Sequence, residues 1–144
     1  MQIKIPQTKE ITLCAEVYIS AYKAEPWNEV YEKSEVEKYI LDYLGSETKF
    51  CFAVEENEKI IGIAFCMVVP CIGAPFLRIE DICISAKERG KGLGSEFIKL
   101  VAEEAKKLGC DSILLGTQKN YPSHKFYIKN GFSEVDSVLL FKEI

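Results

Sequence analysis

Arg89-Gly90-Lys91-Gly92-Leu93-Gly94 is the stretch on which the reading of this chain turns. It follows an apolar run, Phe76 to Ser85, whose near-continuous second half suits a strand buried on both faces. It precedes Ser95 to Leu108, where Phe97, Ile98, Val101, Ala105 and Leu108 fall on one helical face. Glu96 in the first turn, Lys106 and Lys107 in the last, and Gly109 beyond match the helix dipole and a stop signal. A strand-to-helix turn without side chains at positions 90, 92 and 94 can aim several backbone N–H groups at one anion. Arg89 and Lys91 add positive charge, so the turn reads as a pyrophosphate site.

The same glycines also suit a turn that only lets strand and helix pack closely, and the pattern alone does not separate the two readings. No Gly-Lys-Ser/Thr closes it as in a Walker loop, and it lies mid-chain, where a Rossmann turn would sit on the first strand.

Working outward, Ser112 to Thr117 is a short apolar strand, so strand, helix and strand around the turn make a crossover unit. Ser123 to Lys129 predicts a short helix stopped by Asn130-Gly131, and Val138 to Phe141 a final strand. Upstream, Phe50 to Glu55 and Lys59 to Val69 predict a hairpin across Glu56-Asn57-Glu58. Thr8 to Ala21 carries Ile11, Ala15, Tyr18 and Tyr22 at helical spacing. Ser34 with Glu37 forms a capping-box signal for a second helix, Glu35 to Leu44, ended by Gly45. The expected order is α-α-β-β-β-α-β-α-β, an α/β sandwich with helices on both faces of one sheet.

The 144 residues predict one domain, with no repeat or low-complexity linker. A net charge of −4 disfavours a general nucleic-acid binder, which needs a basic stripe against phosphates, and suits a cationic ligand. Ile60 to Val69, the longest apolar run, is too short to span a bilayer, and Lys4, Lys9 and Glu10 interrupt the region where a signal peptide needs apolar residues. A cytoplasmic protein with no membrane partner is expected. The 6 cysteines show no CxxC spacing, and most lie in apolar runs, which predicts free thiols. The single histidine, His124, makes a zinc site an unfavourable reading, and no metal is expected.

The chain resembles the GNAT N-acetyltransferase superfamily, whose signature is Gln or Arg, two residues, Gly, one residue, then Gly or Ala. Arg89, Gly92 and Gly94 match it. The resemblance extends to Glu80-Asp81-Ile82-Cys83-Ile84 and to Asn120, Phe126, Tyr127, Lys129, Gly131 and Phe132, which look like the family's Asn…Phe-Tyr-x-Lys-x-Gly-Phe segment. It implies a mixed, mainly antiparallel sheet with splayed central strands flanked by helices, and acetyl-CoA as cosubstrate. It further implies that residues 89 to 95 (Arg89, Gly90, Lys91, Gly92, Leu93, Gly94, Ser95) and Asn120 bind coenzyme A. Backbone groups of Ile82, Cys83 and Ile84 would hold the acetyl carbonyl and the pantetheine arm. Glu25-Pro26-Trp27-Asn28-Glu29 is similar to a segment of the aminoglycoside 6'-N-acetyltransferase branch.

Acetyl transfer to an amine needs a neutral amine, oxyanion stabilisation and help for the leaving thiolate. Glu80 and Asp81 head the central strand, and on a regular strand alternation lets only one face the acceptor. Glu80 is the expected base; its other reading is a surface carboxylate at a strand end. Tyr127 matches the family's tyrosine that bonds the coenzyme A sulfur; its other reading is a core aromatic beside Phe126. Cys83 lacks a neighbouring base, so direct attack in a ternary complex is expected in place of an acetyl-cysteine.

Trp27 and Tyr31, interleaved with Glu25, Glu29, Glu32 and Glu35, join Glu80 and Asp81 as the expected acceptor pocket, suited to a polyamine or amino sugar. Trp27 serves equally as a plug between helices. The expected function is transfer to a primary amine of a small cationic molecule. The alternatives are a protein or peptide N-acetyltransferase and a non-catalytic acetyl-CoA sensor. Homodimerisation is common in the superfamily, but no interface is legible in the residues.

Overall fold

A computed structural model describes all 144 residues. A three-residue strand, β1 (Gln2–Lys4), precedes a 3-10 turn (Thr8–Glu10) and helices α1 (Ile11–Lys23) and α2 (Lys33–Leu44). Three long strands follow, β2 (Lys49–Glu56), β3 (Lys59–Val69) and β4 (Phe76–Ile84). Helix α3 (Leu93–Lys107), strand β5 (Ser112–Leu115) and helix α4 (Pro122–Lys129) complete the elements. The sheet order is β1-β2-β3-β4-β5. All neighbours are antiparallel except β4 and β5, which α3 joins by a parallel crossover.

Strands β2 and β3 are apolar on both faces because each face is covered. Phe52, Val54, Ala64 and Cys66 point with Leu77 and Ile79 toward Phe97, Ile98 and Val101 of α3. Cys51, Ala53, Ile63 and Phe65 point toward Ile11, Cys14, Ala15 and Tyr18 of α1 and Val36 and Ile40 of α2. This is the expected α/β sandwich. All 6 cysteines are free; Cys14, Cys51, Cys66 and Cys110 are buried, and Cys71 is exposed. No helix is long and apolar enough to cross a membrane.

Gly62 marks the closest approach of β3 to β4. A Cβ there would lie 2.6 Å from Ile84 Cδ1, 2.8 Å from the Cys83 carbonyl oxygen and 2.9 Å from Val54 Cγ1. The backbone oxygen cannot swing aside like a side-chain tip. Gly62→Ala is therefore expected to destabilise the fold by about 1–3 kcal/mol, the usual cost of overpacking, measured as a lower urea midpoint with unchanged slope.

Several expectations are corrected. Val138–Phe141 forms no strand: these residues pair with nothing and stand 81%, 90%, 91% and 92% exposed. Strand propensity favours an extended chain, but only a ladder partner makes a strand. Helix α2 starts before the expected capping box, with Glu32 at its N-cap and no side-chain cap; Glu37 instead accepts the Thr12 hydroxyl at 2.8 Å. Strand β1 is an addition, pairing with Ala53 to Glu55 and anchored by Lys4, whose ammonium reaches Glu10 at 2.7 Å and Glu55 at 2.5 Å.

The most consequential correction concerns β4. Phe65 pairs with Asp81 but Cys66 pairs with Ile79, so Glu80 is the extra residue of a β-bulge. Alternation is reset there. Leu77 and Ile79 face α3, whereas Asp81 and Cys83 face α1, opposite Phe65 and Ile63.

Candidate active site

The glycine turn leads from β4 into α3 with Gly90 at φ +78° and Gly92, the helix N-cap, at φ +79°. A Cβ at either would meet nothing within 4 Å, so what glycine supplies is the left-handed backbone. The consequence shows in the hydrogen bonds: none of the N–H groups of Gly90, Lys91, Gly92, Leu93 and Gly94 donates to another atom of the chain. They form a run of free donors at the positive end of a 15-residue helix, which is the condition for holding phosphate. Gly94 has a packing role as well, since a Cβ there would sit 3.3 Å from the Phe126 ring of α4.

Arg89 does something the sequence does not announce. Its guanidinium donates to the carbonyls of Glu25, at 2.8 Å, and of Ala21. These belong to the end of α1 and the loop after it, where helix carbonyls lack intrahelical partners and a cation is favoured. Arg89 thus ties the phosphate turn to the N-terminal lip. Lys91 bends back to Glu88 at 2.5 Å. Arg89→Met is expected to raise KM for the acceptor amine more than the Kd for coenzyme A, because the lip loses its anchor while the turn amides stay. Steady-state kinetics alongside calorimetry checks this; an effect confined to coenzyme A affinity would put the guanidinium on the cofactor.

Pairing of β4 with β5 covers only Phe76 to Ile79, and from Glu80 onward β4 leaves its neighbour. The opening is a cleft of about 810 Å³. It brings Gly90 and Gly94 together with Glu80 through Ile84, the aromatic lip and Tyr127. Thr117, whose hydroxyl lies 2.9 Å from that of Ser123, lines the far wall, where the sequence offered no chemical signal.

Because of the bulge, both carboxylates of β4 act on the α1/α2 side. Burial first, then Tyr43, then the fields of Asp81 and Glu80 raise the Tyr39 hydroxyl well above its usual range. Glu80 is held by Arg78, 2.5 Å from Nε to Oε1, and is partly solvated. Asp81 is the more enclosed. It accepts the Tyr22 hydroxyl at 2.7 Å, and burial pushes its carboxyl up from the ordinary value, with Glu80 and Glu29 adding repulsion and the Tyr22 bond opposing it.

Tyr22 is the centre of an aromatic lip. Its ring lies 4.5 Å from Tyr18, 6.0 Å from Tyr31 and 5.9 Å from Trp27. Trp27 reaches across to Tyr121 at 5.3 Å, so it joins the lip to the loop before α4 as well as walling the cleft. The Tyr31 hydroxyl donates to Glu29. On the opposite wall Tyr127 packs between Phe126 and Phe132 at 5.2 Å and 5.5 Å. Its hydroxyl makes no hydrogen bond within the chain, and burial, followed by the Asp81 and Cys83 charges, pushes its pKa up to about 12.

Of the residues singled out from the sequence, Trp27, Tyr31, Glu80, Asp81, Ile82, Cys83, Ile84, Arg89, Gly90, Gly94 and Tyr127 line this cleft. Lys91, Gly92, Leu93, Ser95 and Asn120 do not. Gly92 acts through the backbone it shapes, and Asn120 sits in a left-handed turn at φ +69° before α4. His124 Nε2 lies 2.8 Å from Glu134 Oε1, in a second groove away from Asp81.

This fold and site define a class. A profile of the Acetyltransferase (GNAT) family matches residues 15–132, and the chain belongs to that family. A glucosamine 6-phosphate N-acetyltransferase of Trypanosoma brucei brucei is 32% identical over 85 residues, 56% of this chain and 56% of that protein. A possible acetyltransferase from Clostridium difficile 630 superposes with TM-score 0.86 at 15% identity, covering 99% of this chain and 97% of the other. An aminoglycoside N-acetyltransferase, AAC(6')-Iy, in complex with CoA gives TM-score 0.80 at 18% identity, with 99% and 93% covered. These structural likenesses are likenesses of fold.

Proposed function

We propose that this chain is an acetyl-CoA-dependent N-acetyltransferase that acts on a primary amine of a small cationic acceptor, an amino sugar or a polyamine. The observation that carries the reading is the run of free N–H groups from Gly90 to Gly94, opening into a cleft that also holds two carboxylates and an unengaged tyrosine hydroxyl. The turn fits a pyrophosphate, and Ile82 to Ile84, freed from β5, offer backbone groups to the pantetheine arm and the acetyl carbonyl. The two relatives named for their substrates act on amino sugars, which fits the acidic, aromatic lip.

The acceptor enters as an ammonium with a pKa near about 10. Trp27, Tyr31 and Glu29 present ring faces and charge to the cation. Asp81, facing the lip and with its proton affinity raised, takes the proton directly or through one water. The amine nitrogen then forms a bond to the acetyl carbon. As the tetrahedral intermediate collapses, the C–S bond breaks and its electron pair goes to sulfur. The Tyr127 O–H donates a hydrogen bond to that sulfur. With its pKa raised, the phenol keeps its proton, and the thiolate takes the proton that the nitrogen loses on becoming an amide, directly or relayed through water. The products are the N-acetyl amine and free coenzyme A. Cys83 lies in the cleft, but burial first and then the neighbouring Asp81 charge raise its thiol and keep it protonated, so it does not act as an acetyl carrier.

Free-thiol release from acetyl-CoA across aminoglycosides, amino sugar phosphates, polyamines, amino acids and peptides tests the reading. The best turnover is expected on the cationic small molecules. Turnover only on peptides would move the acceptor to a polypeptide, and binding of acetyl-CoA without turnover on any amine would make the chain a sensor.

Tyr127→Phe is expected to keep the melting temperature and acetyl-CoA affinity while lowering turnover. The change removes one hydroxyl that bonds sulfur as charge develops there. A charge-assisted bond of about 1.5–3 kcal/mol made only in the transition state corresponds to a rate loss of roughly ten- to a hundredfold. Melting and turnover measured on one preparation decide it. Unchanged turnover removes Tyr127 from the catalytic residues.

A further inference from the structure

Tyr22, in the last turn of α1, is engaged at three points, and together they join the carboxylate of Asp81 to the aromatic lip. Its hydroxyl donates to Asp81 Oδ1 at 2.7 Å. Its ring packs against Tyr18, Trp27 and Tyr31. Its backbone carbonyl accepts the Glu29 N–H at 2.9 Å, so the loop that carries Trp27, Glu29 and Tyr31 is tied to the same residue.

The bond between Tyr22 and Asp81 has a fixed polarity. Burial first, and then the Asp81 charge, raises the Tyr22 hydroxyl far above its ordinary range, so at neutral pH it keeps its proton and donates. A hydrogen bond to the charged form of a carboxyl favours that form. Tyr22 therefore opposes burial at Asp81, while Glu80 on the same strand and Glu29 of the lip add repulsion. Arg78 is paired with Glu80. From α2, Tyr39 gives less help, since its hydroxyl pairs with that of Tyr43 at 3.3 Å and contributes less than Tyr22 to holding Asp81 ionised. Tyr18 of α1, Tyr31 of the lip, Cys83 of β4 and Tyr127 of α4 also meet the Asp81 charge. All four keep their protons at neutral pH, raised chiefly by burial and, for Tyr31, first by its bond to Glu29.

We propose that Tyr22 is the positioning residue of this site: it occupies one oxygen of Asp81, leaves the other to face the acceptor nitrogen, and fixes that oxygen relative to the rings that hold the cation. The inference rests on Asp81 as the base. The proton passes from the ammonium nitrogen to the free carboxylate oxygen, and the nitrogen keeps the electron pair that forms the bond to the acetyl carbon. Because one residue anchors both the proton acceptor and the lip, the amine loses its proton where it is already held for attack.

Tyr22→Phe keeps the ring and its packing and removes only the hydroxyl. The test follows kcat/KM against pH in wild type, Tyr22→Phe, Tyr39→Phe and Asp81→Asn, and titrates the Asp81 carboxyl by carbon NMR in wild type and both tyrosine variants. In Tyr22→Phe the Asp81 titration and the acidic limb of the rate profile are expected to rise together by about one pH unit or more, the size of a lost bond to a charged group. Tyr39→Phe is expected to move both by less. An Asp81 titration that stays at its wild-type position in Tyr22→Phe overturns the proposal, and the base assignment survives it if Asp81→Asn removes the acidic limb. A titration that rises while the limb stays overturns both, because a group other than Asp81 then takes the proton. Equal or larger movement in Tyr39→Phe also overturns the proposal.

Discussion

Asp81→Asn is expected to lower turnover by about 10²–10⁴-fold, the range for a lost general base, while leaving acetyl-CoA binding close to wild type. Asparagine still accepts the Tyr22 hydroxyl and fills the same volume, so the aromatic lip keeps its position. What disappears is proton affinity. Burial holds the Asp81 carboxyl above its ordinary value, so the acidic limb of the wild-type rate profile should lie above the usual carboxylate range, and the variant should lose that limb.

The same substitution carries a sign for stability. A carboxyl whose folded pKa is raised has its stabilising contribution intact below the unfolded value and loses it as pH rises through the folded one. At neutral pH the charged Asp81 therefore costs stability, and Asp81→Asn should raise the melting temperature there while flattening its dependence on pH. Gain of stability with loss of activity is the pattern of a group kept for chemistry. Glu80→Gln, which breaks an ion pair with Arg78 at the cleft mouth, should cost less turnover than Asp81→Asn. The reverse order would return the role of base to Glu80.

Gly92→Val is expected to abolish stabilisation by coenzyme A. In wild type, ligand at a hundred times its Kd contributes about 2.7 kcal/mol. At roughly 2–4 °C per kcal/mol for a chain near this size, that is a melting shift of about 5–11 °C. Valine at φ +79° is strained by about 1–3 kcal/mol and is relieved only by rotating the backbone out of the left-handed region. That rotation redirects the N–H groups of Gly92 and Leu93 away from the common focus. No neighbour lies within 4 Å of a Cβ at this position, so the core is spared and far-ultraviolet circular dichroism should match wild type. A variant that keeps the full shift would show that the turn amides are not the phosphate donors.

What was legible in the sequence were the long elements with a strong period. The α3 stripe from Phe97 to Ala105, the β2–β3 hairpin and the glycine turn appear within a few residues of where patterning puts them. What was not legible depends on partners distant in the chain. The bulge at Glu80 is a property of how β4 meets β3, and it brings Asp81 to the same side as Glu80 without changing any residue. The Arg89 guanidinium finds carbonyls 64 and 68 residues away, and the Tyr22 hydroxyl finds a carboxylate 59 away, distances over which local spacing carries no information. Strand β1 has a single strongly apolar residue, Ile3, so its pairing with β2 leaves no period to read. Val138–Phe141 failed in the opposite sense: its propensity is clear, but no strand of the sheet pairs with it.

Calorimetric titration with coenzyme A and with pantetheine tests the central claim most directly, because the two ligands share the thiol arm and differ in the pyrophosphate. Wild-type protein is predicted to bind coenzyme A at least a hundredfold more tightly than pantetheine, with Gly92→Val losing that preference and retaining whatever weak affinity pantetheine has. Equal binding of the two ligands by wild type, or no binding of coenzyme A at all, would contradict the assignment of Gly90 to Gly94 as the pyrophosphate site.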